Sequence, residues 1–280
     1  MNSIKRRSEI IKLLNCQNTL EDQKKGRELA LKEGIDFVLK CFAYPGCAEN
    51  CALIVTALSY EKTEECFDCL FLLSQNLHYP WELEIFSYLI NAPLKILKPW
   101  LTKALNNAIL SENYLGILFL VQMLEQNKEL SLSIEQDSNS NLILDTISSK
   151  NMISKAKIIR KLHIDNSKKI QQEGIIEALG EDKLDFVMRY LQNFAYTENC
   201  IEIFCSLPYE ICEPYFEELL NWVVENSEEE TEKLFNYLTK VPKAMLRKVV
   251  QNELKYAARE KREDAIELLN KIKRFRANKQ

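Results

Sequence analysis

Four cysteines in the first third of the chain have the residue type and the spacing that could hold a metal ion. Cys47, Cys51, Cys66 and Cys69 form the pattern C-x3-C-x14-C-x2-C, which approaches the spacing of a four-thiolate zinc site. The alternative is that these side chains are small buried hydrophobes, a common role of cysteine in protein cores. The core role is favoured because the flanking sequence lacks the glycines typical of zinc knuckles.

The cysteine count and the N-terminus together indicate a reducing environment. The chain has nine cysteines, and an odd number without a secretory signal argues against a disulfide framework. Residues 1–7 are charged, and an amphipathic segment follows them rather than a continuous apolar one, so no signal peptide is expected. No run of residues reaches the roughly 18 apolar positions that a membrane span needs. We therefore expect a cytoplasmic protein, either in its own cell or in a host cell.

The sequence offers little material for catalysis. It contains two histidines, His78 and His163, and none of the motifs GxGxxG, GxxxxGK[ST], HExxH or GxSxG. A nucleophilic thiol at Cys66 or Cys69 would need a base beside it, and no motif pairs either thiol with His78. We expect a protein that is not an enzyme and that needs no cofactor.

Aromatic side chains are better candidates for recognition, since tryptophan and tyrosine are enriched among the residues that dominate protein interfaces. Tyr79, Trp81 and Trp222 lie in or beside the repeated segments described below, and we predict that they bind a partner. Such residues are also ordinary components of the core in helical hairpins. Trp100 is expected in that core.

Composition indicates helices and disfavours nucleic acid. Only 6 glycines and 7 prolines occur in 280 residues, whereas average usage would give about 20 glycines. Sheets, tight hairpins and phosphate-binding loops need glycine, and helices avoid it. The formal net charge is −4, so the chain lacks the basic surplus with which most nucleic-acid-binding proteins neutralise phosphates.

Three segments of equal length align without a gap, and each has a proline at its ninth position. They are residues 85–108 with Pro93, 200–223 with Pro208, and 234–257 with Pro242. Apolar residues recur three, four, seven and eight positions after each proline, which is the spacing of a helix with one buried face. Proline ends one helix and suits the first turn of the next. Each segment is therefore predicted to be a helical hairpin that must stack on a neighbouring hairpin.

This pattern predicts an all-α fold, a right-handed superhelical array of stacked antiparallel helical hairpins called an α-solenoid. The segment 125–141 is polar and poor in periodicity, which favours a loop or a loosely packed helix. We place a weak boundary there, between an N-terminal half at residues 1–124 and a C-terminal half at residues 142–280. One continuous solenoid is the alternative.

The hairpin units of about 30 to 34 residues resemble HEAT and armadillo repeats. Proteins of this class mostly bind other proteins along a curved surface, so the resemblance implies a scaffold, adaptor, inhibitor or effector that binds a protein or peptide partner. Two other functions remain as alternatives: a helical repeat protein that binds nucleic acid through a basic face, and a zinc-dependent module at the cysteine cluster.

Overall fold

The computed structural model describes residues 3–44, 46–135, 145–147, 151–181, 184–226 and 228–277 of the chain. Among these residues the regular structure is helical and no strand occurs, so the prediction of an all-α protein is confirmed. Within the same ranges, no helix is both long enough and apolar enough to cross a membrane.

The chain divides into two compact units, Met1–Lys157 and Ile158–Gln280, and each is described by itself. Part of the segment predicted as a polar boundary is helical, because a helix covers Lys128–Glu135. Residues 136–141 of that segment lie outside the described residues.

The helices are numbered here in chain order. They are α1 (Ser3–Leu13), α2 (Leu20–Glu33), α3 (Ile35–Cys41), α4 (Ala48–Thr56), α5 (Tyr60–Thr63), α6 (Phe67–Ser74), α7 (Pro80–Ile90), α8 (Leu94–Leu110), α9 (Tyr114–Gln126), α10 (Lys128–Glu135), α11 (Met152–Lys161), α12 (Lys168–Leu179), α13 (Asp185–Met188), α14 (Phe194–Ser206), α15 (Tyr209–Cys212), α16 (Phe216–Glu225), α17 (Glu228–Lys240), α18 (Lys243–Arg259) and α19 (Glu263–Ala277).

The order of helices from α1 to α9 is repeated from α11 to α19. The short helix α5 and the 3₁₀ turn Glu64–Cys66 are matched by α15 and the 3₁₀ turn Glu213–Tyr215. The offset that takes Glu64 to Glu213 also takes Glu112 to Lys261, the two residues that have left-handed backbone before the last helix, at φ 50° and 57°. We call residues 3–126 the first copy and residues 152–277 the second copy.

Identical side chains occupy the core of the two copies. The offset between paired positions is constant within α1 and α2 and increases by one at α3, so the second copy has a single inserted position between its second and third helices. The buried or close-packed positions that carry the same residue in both copies include Ile10 and Ile158, Leu14 and Leu162, Gly26 and Gly174, Ala30 and Ala178, Phe37 and Phe186, Val38 and Val187, Cys51 and Cys200, Phe67 and Phe216, and Leu97 and Leu246.

A buried asparagine fixes the loop after α1 in the first copy. The Asn50 side chain donates hydrogen bonds to the carbonyl of Leu14 at 2.8 Å and to Oε1 of Gln23 at 3.1 Å. The Gln23 amide in turn donates to the carbonyls of Cys16 at 3.0 Å and Asn18 at 2.8 Å. These bonds satisfy loop carbonyls that no helix ladder reaches.

The second copy contains the same network. The Asn199 side chain donates to the carbonyl of Leu162 at 2.8 Å and to Oε1 of Gln171 at 3.1 Å. The Gln171 amide donates to the carbonyls of Ile164 at 2.8 Å and Asn166 at 2.7 Å. A polar network of this detail, reproduced with the same residue types, identifies the copies as one structural unit present twice.

The three predicted hairpin prolines each lie at the start of a helix. Pro93, Pro208 and Pro242 have φ angles of −53°, −55° and −51° and directly precede α8, α15 and α18. The structure pairs the segments differently from the sequence alignment, because residues 200–223 correspond to residues 51–74. The positions four and eight residues after each proline are buried in all three segments: Leu97, Leu101, Cys212, Phe216, Leu246 and Val250.

Candidate protein-binding groove

An open groove of about 430 Å³ lies in the second unit, between α14, the end of α16 and the first turns of α17. Its apolar lining comes from Ile164, Phe194, Ile201 and Trp222. A concave, mostly apolar surface with a few polar groups at its edge is the usual form of a binding site. We therefore take this groove as the candidate functional site.

Phe194 stands at the rim of the groove and is 78% exposed. It is the first residue of α14, and Asn193 before it caps the helix by accepting a hydrogen bond from the Ala195 N–H at 3.1 Å. Asparagine is a favoured capping residue, so the helix begins here and the next side chain projects outward. A phenyl ring left in water this way forgoes the stabilisation of burial.

Trp222 forms part of the lining and is only 7% exposed. It belongs to α16, whose neighbours Leu219, Leu220 and Val223 are buried in the core. Trp222, predicted to bind a partner, is thus largely a core residue, and only a small part of its side chain faces the groove. Ile201 on α14, also buried, lines the same surface.

Charged pairs border the groove. Lys233 on α17 lines it and forms an ion pair with Glu202. Glu198 on α14 also lines it, and its carboxylate lies 3.9 Å from Lys168 Nζ with both side chains well exposed. Exposed ion pairs contribute little to stability, but they give the rim of an apolar groove both signs of charge.

In the first copy an aromatic pair joins the first turn of α7 to the segment between α3 and α4. Trp81, in the first turn of α7, packs against Phe42 with ring centroids 5.5 Å apart. Tyr79 stacks parallel to Trp81 at 6.3 Å and is 43% exposed. The structure therefore brings two of the predicted partner-binding residues, Tyr79 and Trp81, into one half-exposed cluster on the first unit.

A hydrogen-bonded turn holds that aromatic cluster in place. The carboxylate of Glu82 is buried and accepts hydrogen bonds from the backbone N–H of Tyr79 at 2.8 Å and from that of His78. Pro80 occupies the first turn of the helix, where its missing N–H costs nothing. His78 packs edge-on against Tyr79 with centroids 5.1 Å apart.

Of the four cysteines of the predicted zinc site, Cys47, Cys51 and Cys66 are buried and Cys69 is exposed. In the described residues, no three sulfur atoms of Cys47, Cys51, Cys66 and Cys69 lie within 4.8 Å of one another. Cys51 is fully buried beside Cys41, and its counterpart in the second copy, a cysteine as well, is also fully buried. The geometry gives the zinc prediction no support.

Burial also affects the acidity of these thiols. Burial raises the pKa of Cys47 to about 11, and it raises the pKa of Cys66 and Cys69. The hydrogen bond with Cys41 and burial raise the pKa of Cys51 as well.

A basic surface occurs on α18. Arg247, Lys248 and Lys255 are all exposed, and in the described part of the chain no hydrogen bond or ion pair engages their side chains. Positions 248 and 255 are two helical turns apart and so lie on one helix face. The formal net charge of the whole chain is negative, so this cationic face is a local feature.

Phe194, Ile201 and Phe42 are site residues that the sequence reasoning missed. An alignment of the two copies could have drawn attention to Phe194, because the aligned residue of the first copy is Pro45 and the two side chains differ.

The chain matches no protein-family model, no curated protein and no solved structure.

Proposed function

We propose that this protein is a non-enzymatic scaffold of the HEAT-like class that binds a protein or peptide partner. The observation that carries the proposal is the open groove of the second unit with Phe194 exposed on its rim. A large apolar side chain exposed beside a concave apolar surface is typical of an interaction site. The predicted right-handed superhelical array remains part of this proposal.

The distribution of polar groups favours a polypeptide over a small hydrophilic ligand. Four of the nine residues that line the groove are aliphatic or aromatic, and the other five, which include Glu198 and Lys233, are polar or charged. Protein interfaces also combine large apolar side chains with polar and charged ones. The rim charges would set the orientation of the partner more than its affinity.

The test is selection of random peptides displayed on phage against the immobilised full-length protein. We expect enriched sequences whose binding is reduced at least about tenfold by Phe194→Ala, the loss typical of an interface hot spot. The control is Ile176→Ala, which removes a side chain of the same unit that is 67% exposed and does not line the groove. Equal loss in both variants, or no enrichment at all, would contradict the proposal.

The basic face of α18 supports a second candidate function, binding of nucleic acid. Arg247, Lys248 and Lys255 could neutralise phosphates along one strand. The measurement is fluorescence anisotropy of a labelled duplex between about 50 and 200 mM salt. Nucleic acid binding predicts that replacing all three residues by glutamine lowers the slope of log K against log salt by about 2 to 3. An unchanged slope would eliminate this candidate.

A further inference from the structure

We propose that the groove of the second copy binds one aromatic side chain, best an indole, presented by the partner polypeptide. The inference rests on the proposed function and names the chemistry of the partner. Its basis is the internal duplication, since an aromatic contact joins the corresponding elements of the first copy. The proposal concerns the place between α14 and α17 in the second copy and between α4 and α7 in the first.

The residues around this place correspond one to one. Gln192 and Lys233, on opposite sides of the groove, align with Ala43 and Glu84 of the first copy at the same offset that pairs Glu64 with Glu213. Phe42 directly precedes Ala43 in the chain. Trp81 lies three positions before Glu84, which puts it on the same side of α7.

In the first copy an aromatic contact of the chain itself joins the two sides of this place. The contact between Trp81 and Phe42 joins the first turn of α7 to the segment between α3 and α4. Two alanines, Ala48 and Ala52, stand where the second copy has Thr197 and Ile201.

The second copy has no aromatic residue at the two positions that form this contact in the first copy. The residue aligned with Trp81 is Glu230, the residue aligned with Phe42 is Leu191, and residues 227–233 contain no aromatic residue. The groove there is open, with Phe194 exposed on its rim. An aromatic ring from a partner would contact Phe194 at the rim and the apolar lining, as Trp81 contacts Phe42. Aromatic pairs add stabilisation beyond their buried area.

The probe is N-acetyl-tryptophanamide, with N-acetyl-alaninamide as the matched control, each titrated into the full-length protein and observed by ligand-detected NMR. We expect the tryptophan amide to bind one site with a Kd on the order of 1 mM, as suits a fragment of this size. The alanine amide is expected to bind at least about tenfold more weakly, because it lacks the ring. Equal signals from the two amides would overturn the inference.

Two substitutions test the place. Glu230→Trp restores the aromatic residue of the first copy, and we expect it to abolish binding of the tryptophan amide while circular dichroism stays unchanged. Phe194→Ala removes the exposed ring at the rim and is expected to weaken binding at least about tenfold. If Glu230→Trp does not fold, Phe194→Ala still tests the groove assignment. Wild-type affinity in either folded variant would refute the assignment.

The reverse substitution tests the equivalence of the copies. Trp81→Ala empties the place in the first copy, so we expect a second site for the tryptophan amide. A single site in this variant would contradict the equivalence on which the inference is built. The proposed scaffold function and the groove assignment can fail separately. If the tryptophan amide binds but no peptide is selected, the scaffold function is contradicted and the groove assignment is not. Selected peptides that bind Glu230→Trp like wild type would leave the scaffold standing and remove the assignment.

Discussion

The cysteine side chains show most directly how placement decides chemistry. Cys41, Cys47 and Cys51 are buried, whereas Cys16 and Cys69 are exposed. A thiol reacts as its thiolate, and a raised pKa lowers the thiolate fraction at any given pH. Burial raises the pKa of Cys47 and contributes to the raised pKa of Cys51, so these two thiols are protected both by exclusion of reagent and by retention of the proton.

We expect a disulfide reagent such as dithionitrobenzoate at pH 8 to modify Cys16 fastest in the native protein. Cys69 should follow, because it is also exposed but partial desolvation of its thiol raises its pKa. Cys51 and Cys200 are expected to react only on unfolding, because both are fully buried. The measurement is mass spectrometry of the labelled peptides at increasing times. Prior treatment with a chelator should leave the pattern unchanged, and faster labelling of Cys47 and Cys66 after chelation would instead reveal a bound metal.

Asn199 stabilises the second copy through the buried hydrogen-bond acceptors that it pairs with. Replacing it with alanine removes the buried donor that the carbonyl of Leu162 and Oε1 of Gln171 accept from. We expect Asn199→Ala to lower the free energy of unfolding by about 1 to 3 kcal/mol, the cost of unsatisfied buried polar groups. Urea denaturation followed by circular dichroism measures it.

The matched control is Asn252→Ala on the exposed surface of α18. No hydrogen bond of the Asn252 side chain occurs among the described residues, so its replacement should change stability by less than about 0.5 kcal/mol. A similar loss in both variants would mean that the network does not stabilise the second copy.

At the scale of the helix, the close approach of two helices explains why both copies have a glycine at the same position, Gly26 and Gly174. A Cβ atom on Gly174 of α12 would lie 2.8 Å from Lys161 Cβ and 3.1 Å from Leu162 Cδ2, at the end of α11. On Gly26 the added atom would lie 2.9 Å from the Leu13 carbonyl carbon of α1. The first hairpin of each copy is thus packed as closely as a glycine permits.

Gly174→Ala is expected to destabilise the protein by about 1 to 3 kcal/mol, because α11 and α12 must move apart to admit the methyl group. Gly180→Ala is the control, since its Cβ would make only ordinary contact, 3.4 Å from the Glu177 carbonyl oxygen. Thermal melts of the two variants compare them directly. A larger loss for Gly180→Ala than for Gly174→Ala would show that glycine flexibility, not helix approach, sets the requirement.

Helices and their hairpin prolines could be predicted from the sequence because their causes are local. Pro93 and Pro242 start helices through their fixed φ and missing N–H, whatever lies around them. The exposure of Trp222 could not be predicted, because it depends on how α14 and α17 pack beside α16. Zinc spacing at Cys47 and Cys51 was likewise ambiguous, since spacing along a chain does not fix the distance between two sulfur atoms.

The duplication was hidden from an ungapped comparison of the sequence, and it matters for the whole molecule. Gly26 pairs with Gly174 but Phe37 pairs with Phe186, so the offset between the copies changes by one position between α2 and α3. An alignment without gaps therefore pairs either the first two helices of each copy or the later ones, which include residues 85–108 and 234–257, but not both. The buried positions keep the same residue types in both copies because a core accepts few substitutions of different volume. The exposed residues are free of this constraint and differ between the copies.

A unit present twice with its own core predicts that one copy folds without the other. The second copy contains the Asn199 network and a core that includes Phe186, Phe204 and Phe216, all fully buried. Its length of about 125 residues is within the usual range of independently folding domains.

We expect the isolated fragment 151–280 to be helical by circular dichroism and to unfold in a single cooperative transition. It should also retain the tryptophan amide site, because the residues that line the groove belong to it. A fragment that is unfolded alone, yet folds on addition of fragment 1–150, would mean that the two copies complete one core, and the groove would then have to be studied only in the full chain.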